Sequence, residues 1–476
     1  MTITDRPAAV HELGVAEAAE AVRTGALTAR AYAAGLLDRA ERLAGLNAFI
    51  TLDPEGVLRA AETADEDRAA GAEGPLLGVP LGVKDSALTR GLPTTFGNSA
   101  LRGFVPTRDA QVVTAVKNAG ALVFGKTNLA EMSFGVTGLN AHHGQVLNPH
   151  RPAHVSGGSS SGSAAAVAAG IVPAALAGDT IGSIRIPAAL CGVVGFKPSR
   201  GRWPGDGVAP VSTTLDSTGV IARSVADCAL VDGVVTGAVP GTRPVRGVRL
   251  GYSPRHLAGA DPEVASAFDR ALGRLEDAGA RLVEVELGED FFELAESATW
   301  PIFFHETLPS VREFLRLNDI PVTFEQIAAG LGEHVKARWD KLVVPGAPNA
   351  VDHASYRAAL DTLRPALAGR YRHRVFRHAD ALLFPTTLCA APPIEHQWEY
   401  PVGTQTVTDL FLARTTHPTN CAGLPGLTVP MGTTAGGLPL GLELDGAFGT
   451  DRALLAVAAG VEDVLGRAAP PAGLPS

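Results

Sequence analysis

Polar and apolar positions change texture several times along the chain. From about residue 12 to 72, alanine and leucine alternate with glutamate and arginine, as in VAEAAEAVRTGALTARAYAAGLLDRAERLA (Val15–Ala44). These are the strong helix formers, so this region is expected to be helical. From Leu77 to about Gly237, short apolar runs such as GVPLGV and ALVFG alternate with glycine-marked turns and alanine-rich segments. Strands interleaved with helices predict an α/β core. GVRLGYS and RLVEVEL read as two further strands. Between them Asp261-Pro262-Glu263 opens a helix, with Asp as cap, Pro in the first turn and Gly279 near the end. Residues 285–380 read as mostly helical, and ALLFPTT and GLTVPMG as buried strands returning to the core. There is no internal repeat and no long linker. The expected organisation is one domain over 1–476, with N-terminal helices to 75, a core over 76–240, a helical insertion near the pocket over 285–380, and a return to the core over 381–470.

Composition narrows the function. The net charge of −9 argues against nucleic-acid or anionic-membrane binding. The uncharged stretch Val155–Gly178 is too rich in Ser and Gly to span a bilayer. The N-terminus lacks a basic region followed by an apolar run, so no signal peptide is expected. Cys191, Cys228, Cys389 and Cys421 form no CxxC pair. Free thiols and a cytoplasmic location are the expectation, with no metal and no cofactor.

Two short motifs mislead. GALVFGKT, Gly120–Thr127, satisfies G-x-x-x-x-G-K-[ST], but its four variable residues are Ala-Leu-Val-Phe. That run suits a buried strand, not a loop that cradles phosphate. GSSSG, Gly158–Gly162, satisfies G-x-S-x-G, yet NPHRPAHVSG before it makes a poor strand for a nucleophile elbow at Ser160.

Three other segments carry the chemistry together. GVPLGVKDS places Lys84 after an apolar run. GGSSSGSAAA leads from a Gly/Ser loop into an alanine-rich segment. AGDTIGSIRIP places Ser183 after Gly182 in a tight turn. With GKTNLAEMSFGVTGLN and DTIGSIRIPAALCGVVGFKPSRG, these segments closely resemble the amidase signature family of serine hydrolases. The resemblance implies that family's fold, a central mixed, mostly parallel sheet covered by helices on both faces. It also implies a Ser–cisSer–Lys triad: Ser183 as nucleophile, Ser159 as bridge after a cis peptide bond, and Lys84 as base. Backbone amides of Thr180, Ile181, Gly182 and Ser183 would form the oxyanion hole. Ser133 and Ser159 would contact substrate, and Asp179 and Arg185 would brace the turn. Ile181 stands where the commonest pattern has a first glycine.

A lysine base must lose its charge near pH 7. That means lowering its proton affinity by roughly 3 to 4 pH units, a cost of about 4 to 5 kcal/mol that burial can impose. The resemblance is strongest to hydrolases of small aryl amides, such as indoleacetamide and mandelamide hydrolases. It implies an acyl-enzyme that releases ammonia or an amine from a small aryl or arylalkyl amide, and it admits a homodimer. Trp300, Phe303, Phe304 and Phe411 are candidates for the pocket wall or for core packing. Two alternatives share the triad: the glutamine-hydrolysing component of an amidotransferase that works with a tRNA-bound partner, and a hydrazide or carbamoyl hydrolase. A non-catalytic binding module is disfavoured by the presence of Lys84, Ser159 and Ser183 together.

Overall fold

A computed structural model describes residues 7–238 and 241–474. Its spine is an eleven-stranded mixed sheet. In spatial order the strands are Phe49–Leu52, Leu122–Thr127, Pro80–Lys84, Ala174–Asp179, Ser217–Ala222, Val194–Lys197, Gly426–Thr433, Pro439–Asp445, Ala381–Pro385, Arg249–Tyr252 and Arg281–Glu284. Parallel ladders lie toward the two flanks. They join Leu122–Thr127, Pro80–Lys84 and Ala174–Asp179 on one side, and Ala381–Pro385, Arg249–Tyr252 and Arg281–Glu284 on the other. The ladders between these groups are antiparallel. Pro80–Lys84 and Ala381–Pro385 are buried along their whole length, as unbroken apolar runs require. Lys84 and Asp179 each end a strand of the first parallel group, so both lie at its carboxyl edge. That edge is where open α/β sheets hold their ligands.

The N-terminal region folds into helices Val15–Arg23, Ala29–Arg42 and Pro54–Ala69. Thr28 Oγ1 accepts from the Ala31 amide at 3.1 Å, and Asp53 Oδ1 from the Gly56 amide at 3.0 Å, so both later helices begin at side-chain caps. One expectation fails here. Phe49–Leu52 is not helical but an edge strand, antiparallel to Leu122–Thr127. Four residues are too few to show a period of two against helical neighbours.

The uncharged stretch contains the helix Ser161–Ala168, with Ser161 to Val167 all buried. Its small side chains let it come close to neighbouring backbone. A Cβ on Gly162 would lie 2.2 Å from Ala48 O and 2.5 Å from the Asn128 nitrogen. After the helix Pro262–Asp277, capped by Asp261 as expected, comes the long helix Phe291–Leu317, which accommodates Pro301 and Pro309. Shorter helices follow, with π-helical turns at Ala359–Leu363 and Tyr371–Val375. All four cysteines are buried and unpaired. Burial pushes the Cys421 thiol up to about 11 and that of Cys389 to about 12. Among the described residues no helix is long and apolar enough to cross a membrane.

Candidate active site

Lys84 and Ser159 are 75 positions apart, yet Nζ lies 2.7 Å from Oγ. Both side chains are buried, Lys84 with 2% of its surface exposed and Ser159 with none. Burial is the largest influence on the amine and lowers its pKa from 10.5 to about 7, against the opposing pull of the Asp179 and Asp216 carboxylates. The Gly158–Ser159 peptide bond is cis. The Ser159 carbonyl accepts from the Ala130 amide at 3.0 Å, and the Ser160 amide donates to the Ser183 carbonyl at 3.2 Å. These bonds draw the Gly/Ser loop against both the segment carrying Ser133 and the turn carrying Ser183. The remaining serines have ordinary partners or none. Ser160 Oγ donates to the Gly178 carbonyl at 3.1 Å, Ser163 Oγ pairs with Thr127 Oγ1 at 2.7 Å, and Ser161 Oγ is buried without a partner.

The turn Asp179–Ser183 follows the strand Ala174–Asp179 directly. Asp179 organises it: Oδ1 accepts from the Gly182 amide at 2.7 Å, and Oδ2 from the Ile184 amide at 2.9 Å. Of the four amides expected to face an oxyanion, that of Gly182 is therefore already engaged. Among the described residues, no hydrogen bond engages the amides of Thr180, Ile181 or Ser183. Arg185 Nε donates to Asp179 Oδ2 at 3.1 Å, and Nη1 to Glu443 Oε1 at 2.8 Å. The Arg185 guanidinium holds the Asp179 carboxyl down to about 2 despite complete burial. Asn420 Nδ2 adds a bond to Asp179 Oδ1 at 2.9 Å, and Thr416 Oγ1 donates to the Ile181 carbonyl at 2.6 Å.

Gly182 adopts φ +130°, and a Cβ there would lie 2.2 Å from Thr416 Oγ1. Only glycine suits both the angle and the space. Ile181 is not among the residues with positive φ, so its β-branched side chain costs no backbone strain, and it is buried.

Lys126, from the P-loop-like motif, lies within the strand Leu122–Thr127. Its ammonium donates to the Ala87 carbonyl at 2.5 Å and to Thr94 Oγ1 at 2.8 Å. It fastens the chain that follows Lys84.

A cavity of about 500 Å³ opens beside Lys84, Ser133, Asp179 and Thr180. Trp203, Val208, Pro210, Phe314 and Leu317 supply apolar lining, and Leu317 remains 59% exposed at the rim. The pocket-wall reading of Trp300, Phe303, Phe304 and Phe411 does not hold for this cavity, since none of them lines it. Phe303 and Phe304 pack on Phe134 with ring centroids 5.0 and 6.2 Å away, and Trp300 stacks on Phe304 at 6.0 Å. Phe411 lies instead beneath the Arg414 guanidinium. The helix Phe291–Leu317 reaches the cavity only with its last turns, from Ser310 onward. Sequence reasoning also passed over Asp216, whose Oδ1 accepts from Thr180 Oγ1 at 2.6 Å. Nothing local in VSTTLDSTG marks that role.

A family model described as Amidase matches residues 33–455. The chain belongs to the amidase family. It is accordingly an enzyme of amide C–N hydrolysis. It is 36% identical to a mandelamide hydrolase of Pseudomonas putida, over 98% of this chain and 94% of that protein. It is 34% identical to an indoleacetamide hydrolase of Rhizobium radiobacter, over 90% of this chain and 92% of the relative. It is also 36% identical to a glutamyl-tRNA(Gln) amidotransferase subunit of Roseiflexus sp. (strain RS-1), over 94% and 95% of the two chains. A crystal structure of an amidase superposes with a TM-score of 0.85 at 33% identity, covering 95% of this chain and all of the other. The amidase fold expected from the sequence is thus the fold observed.

Proposed function

We propose that this amidase hydrolyses small aryl or arylalkyl amides through an acyl-enzyme on Ser183. The contact that carries this reading is the 2.7 Å approach of a buried Lys84 amine to Ser159 Oγ. With a pKa near 7 the amine is largely neutral in mildly alkaline solution and able to accept a proton. Ser183 Oγ attacks the amide carbon while its proton passes to Ser159, and the Ser159 proton passes to Lys84. Reversing the relay delivers a proton to the leaving nitrogen, so the C–N bond breaks to give free amine or ammonia. Water then attacks the ester and gives a proton to the same relay, the bond to Ser183 Oγ breaks, the acyl group departs as the acid, and the relay returns a proton to Ser183.

The amides of Thr180, Ile181 and Ser183 serve the developing oxyanion, and the Asp179–Gly182 contact sets their direction. A donor of this kind typically contributes about 3 to 4 kcal/mol to barrier lowering. Asp179 and Arg185 brace the turn, and Ser133 contributes to the substrate wall. The two aryl-amide hydrolases among the relatives and the apolar lining from Trp203, Phe314 and Leu317 support the substrate class. Four buried thiols without disulfides support a cytoplasmic enzyme.

The purified chain, given aryl acetamides, anilides, esters and hydrazides without any partner, is expected to release product from the amides fastest. Ser183→Ala is expected to abolish turnover and fluorophosphonate labelling, while Ser160→Ala retains most of both. Turnover of glutamine only in the presence of a partner protein, ATP and tRNA would replace this reading with the amidotransferase one.

A further inference from the structure

Two carboxylates join the turn at Thr180 to the helix that walls the cavity. Asp216 Oδ1 accepts from Thr180 Oγ1 at 2.6 Å, while Oδ2 accepts from the amides of Val211 at 2.9 Å and Ser212 at 3.1 Å. Glu306, in the helix Phe291–Leu317, grips the same loop from the other side. Its Oε2 accepts from Ser212 Oγ at 2.6 Å and from the Thr214 amide at 2.9 Å. Its Oε1 accepts from Thr214 Oγ1 at 2.6 Å and from the Tyr356 hydroxyl at 2.9 Å.

Among the described residues, neither carboxylate has a cation within ion-pair distance. Neutral donors satisfy them, and a sheltered anion held that way costs folding energy that an apolar side chain would not. Such costs concentrate where a charge has work to do. The cavity joins these parts. Thr180, Val211, Thr213 and Asp216 line it from the loop and turn, and Ser310 and Phe314 from the helix carrying Glu306.

We propose that Asp216 and Glu306 are positioning residues for amide hydrolysis. Glu306 fastens the loop 211–216 to the helix 291–317, and Asp216 uses that anchored loop to hold Thr180 and the backbone of the turn 180–183 in place beside Lys84. This rests on the assignment of that turn as the site of acyl transfer. A substrate seated against Phe314 then loads the same helix that fixes the turn, so recognition and alignment share one strut.

Asp216 also acts on Lys84 through space, since its negative charge, with that of Asp179, raises the proton affinity of the amine. The groups facing Asp216 are the Thr180 hydroxyl, the Val211 and Ser212 amides, the Glu306 carboxylate and, through space, the Lys84 amine. Burial foremost, with a further push from Glu306, raises the Asp216 carboxyl to about 7. Opposite pH effects follow from the two carboxylates. Asp216→Asn removes an anion beside Lys84 and moves the acid limb of activity to lower pH. Glu306→Gln lets Asp216 ionise more readily, which moves that limb to higher pH. Thr180→Val cuts the strut and removes a hydrogen bond that keeps Asp216 acidic, so it slows the reaction and moves the limb, like Asp216→Asn, to lower pH.

The test is the rate of fluorophosphonate labelling of Ser183 across pH in full-length wild-type and variant enzymes, with circular dichroism confirming folding. At about pH 8, Asp216→Asn and Thr180→Val are expected to label about tenfold to hundredfold more slowly, with Thr180→Ser restoring most of the rate. The acid limbs of Asp216→Asn and Glu306→Gln are expected to part by about half a pH unit or more, in the directions given. The proposal is overturned if Thr180→Val labels within about twofold of wild type, or if the two limbs shift together or stay in place. Should Asp216→Asn not fold, Thr180→Val and Glu306→Gln decide between these outcomes. Wild-type enzyme that leaves Ser183 unlabelled while hydrolysing amides removes the underlying site assignment as well.

Discussion

Replacing Lys84 with methionine keeps the length and apolar stem of the side chain and removes the amine. The folded enzyme lowers this amine from 10.5 to about 7. At about 1.4 kcal/mol per pH unit, that difference amounts to about 5 kcal/mol of stability. The unfolded chain keeps the lysine proton up to its ordinary pKa, whereas the folded chain releases it above about 7. Between those values the unfolded state binds more protons, so wild-type stability rises with pH through that window. Below about pH 7 both states are protonated and wild type bears the whole cost of a buried ammonium.

Methionine removes that cost but leaves the Ser159 hydroxyl without its partner, a loss of about 1 to 3 kcal/mol. Lys84→Met is therefore expected to be inactive yet more stable than wild type by about 2 to 4 kcal/mol at about pH 6, with the gap closing near about pH 9 and wild type the more stable above it. Urea unfolding followed by tryptophan fluorescence at several pH values measures this gap. A variant less stable than wild type in mild acid, or a gap independent of pH, would refute the buried-amine argument. So would a folded Lys84→Met enzyme with undiminished turnover.

Wild-type kcat/KM is expected to fall in acid with an apparent pKa near 7, because protonated Lys84 cannot accept the Ser159 proton; a pH–rate profile on a neutral amide shows it. Gly182→Ala forces a Cβ to within 2.2 Å of Thr416 Oγ1 at a φ of +130°. It should cost about 1 to 3 kcal/mol of stability and lower kcat about a hundredfold or more as the turn shifts, read by unfolding and steady-state kinetics. Arg185→Ala leaves the buried carboxylates of Asp179 and Glu443 without their cation. A loss of about 3 to 5 kcal/mol is expected in chemical unfolding, with wild-type stability at Arg185→Ala arguing against the brace.

Much of the fold could be read from local pattern. Asp261-Pro262-Glu263 announces a helix through cap chemistry that depends on adjacent residues, and that helix begins at Pro262. The buried strands at Pro80–Lys84 and Ala381–Pro385 were visible as uninterrupted apolar runs. The strand Phe49–Leu52 was hidden by its brevity, because only its partner Leu122–Thr127 makes it extended. At the site, Lys84, Ser159 and Ser183 stood out through the resemblance of several segments together to the amidase family, a signal no single segment carries. Asp216 and Glu306 left no such mark. Their meaning arises from contacts such as Ser212 to Glu306, across 94 positions of chain. The aromatic residues of the long helix were ambiguous for a related reason. Periodicity identifies a buried face without saying whether Phe134 or a cavity lies opposite.

The four deeply placed thiols, their ionisation suppressed by burial, leave this enzyme without a native handle for maleimide reagents. A single cysteine introduced at the exposed Leu317, on the rim of the cavity, would thus be the one reactive sulfur on the surface. A spin label or fluorophore attached there would report on the entrance directly, against a background needing no prior removal of natural cysteines.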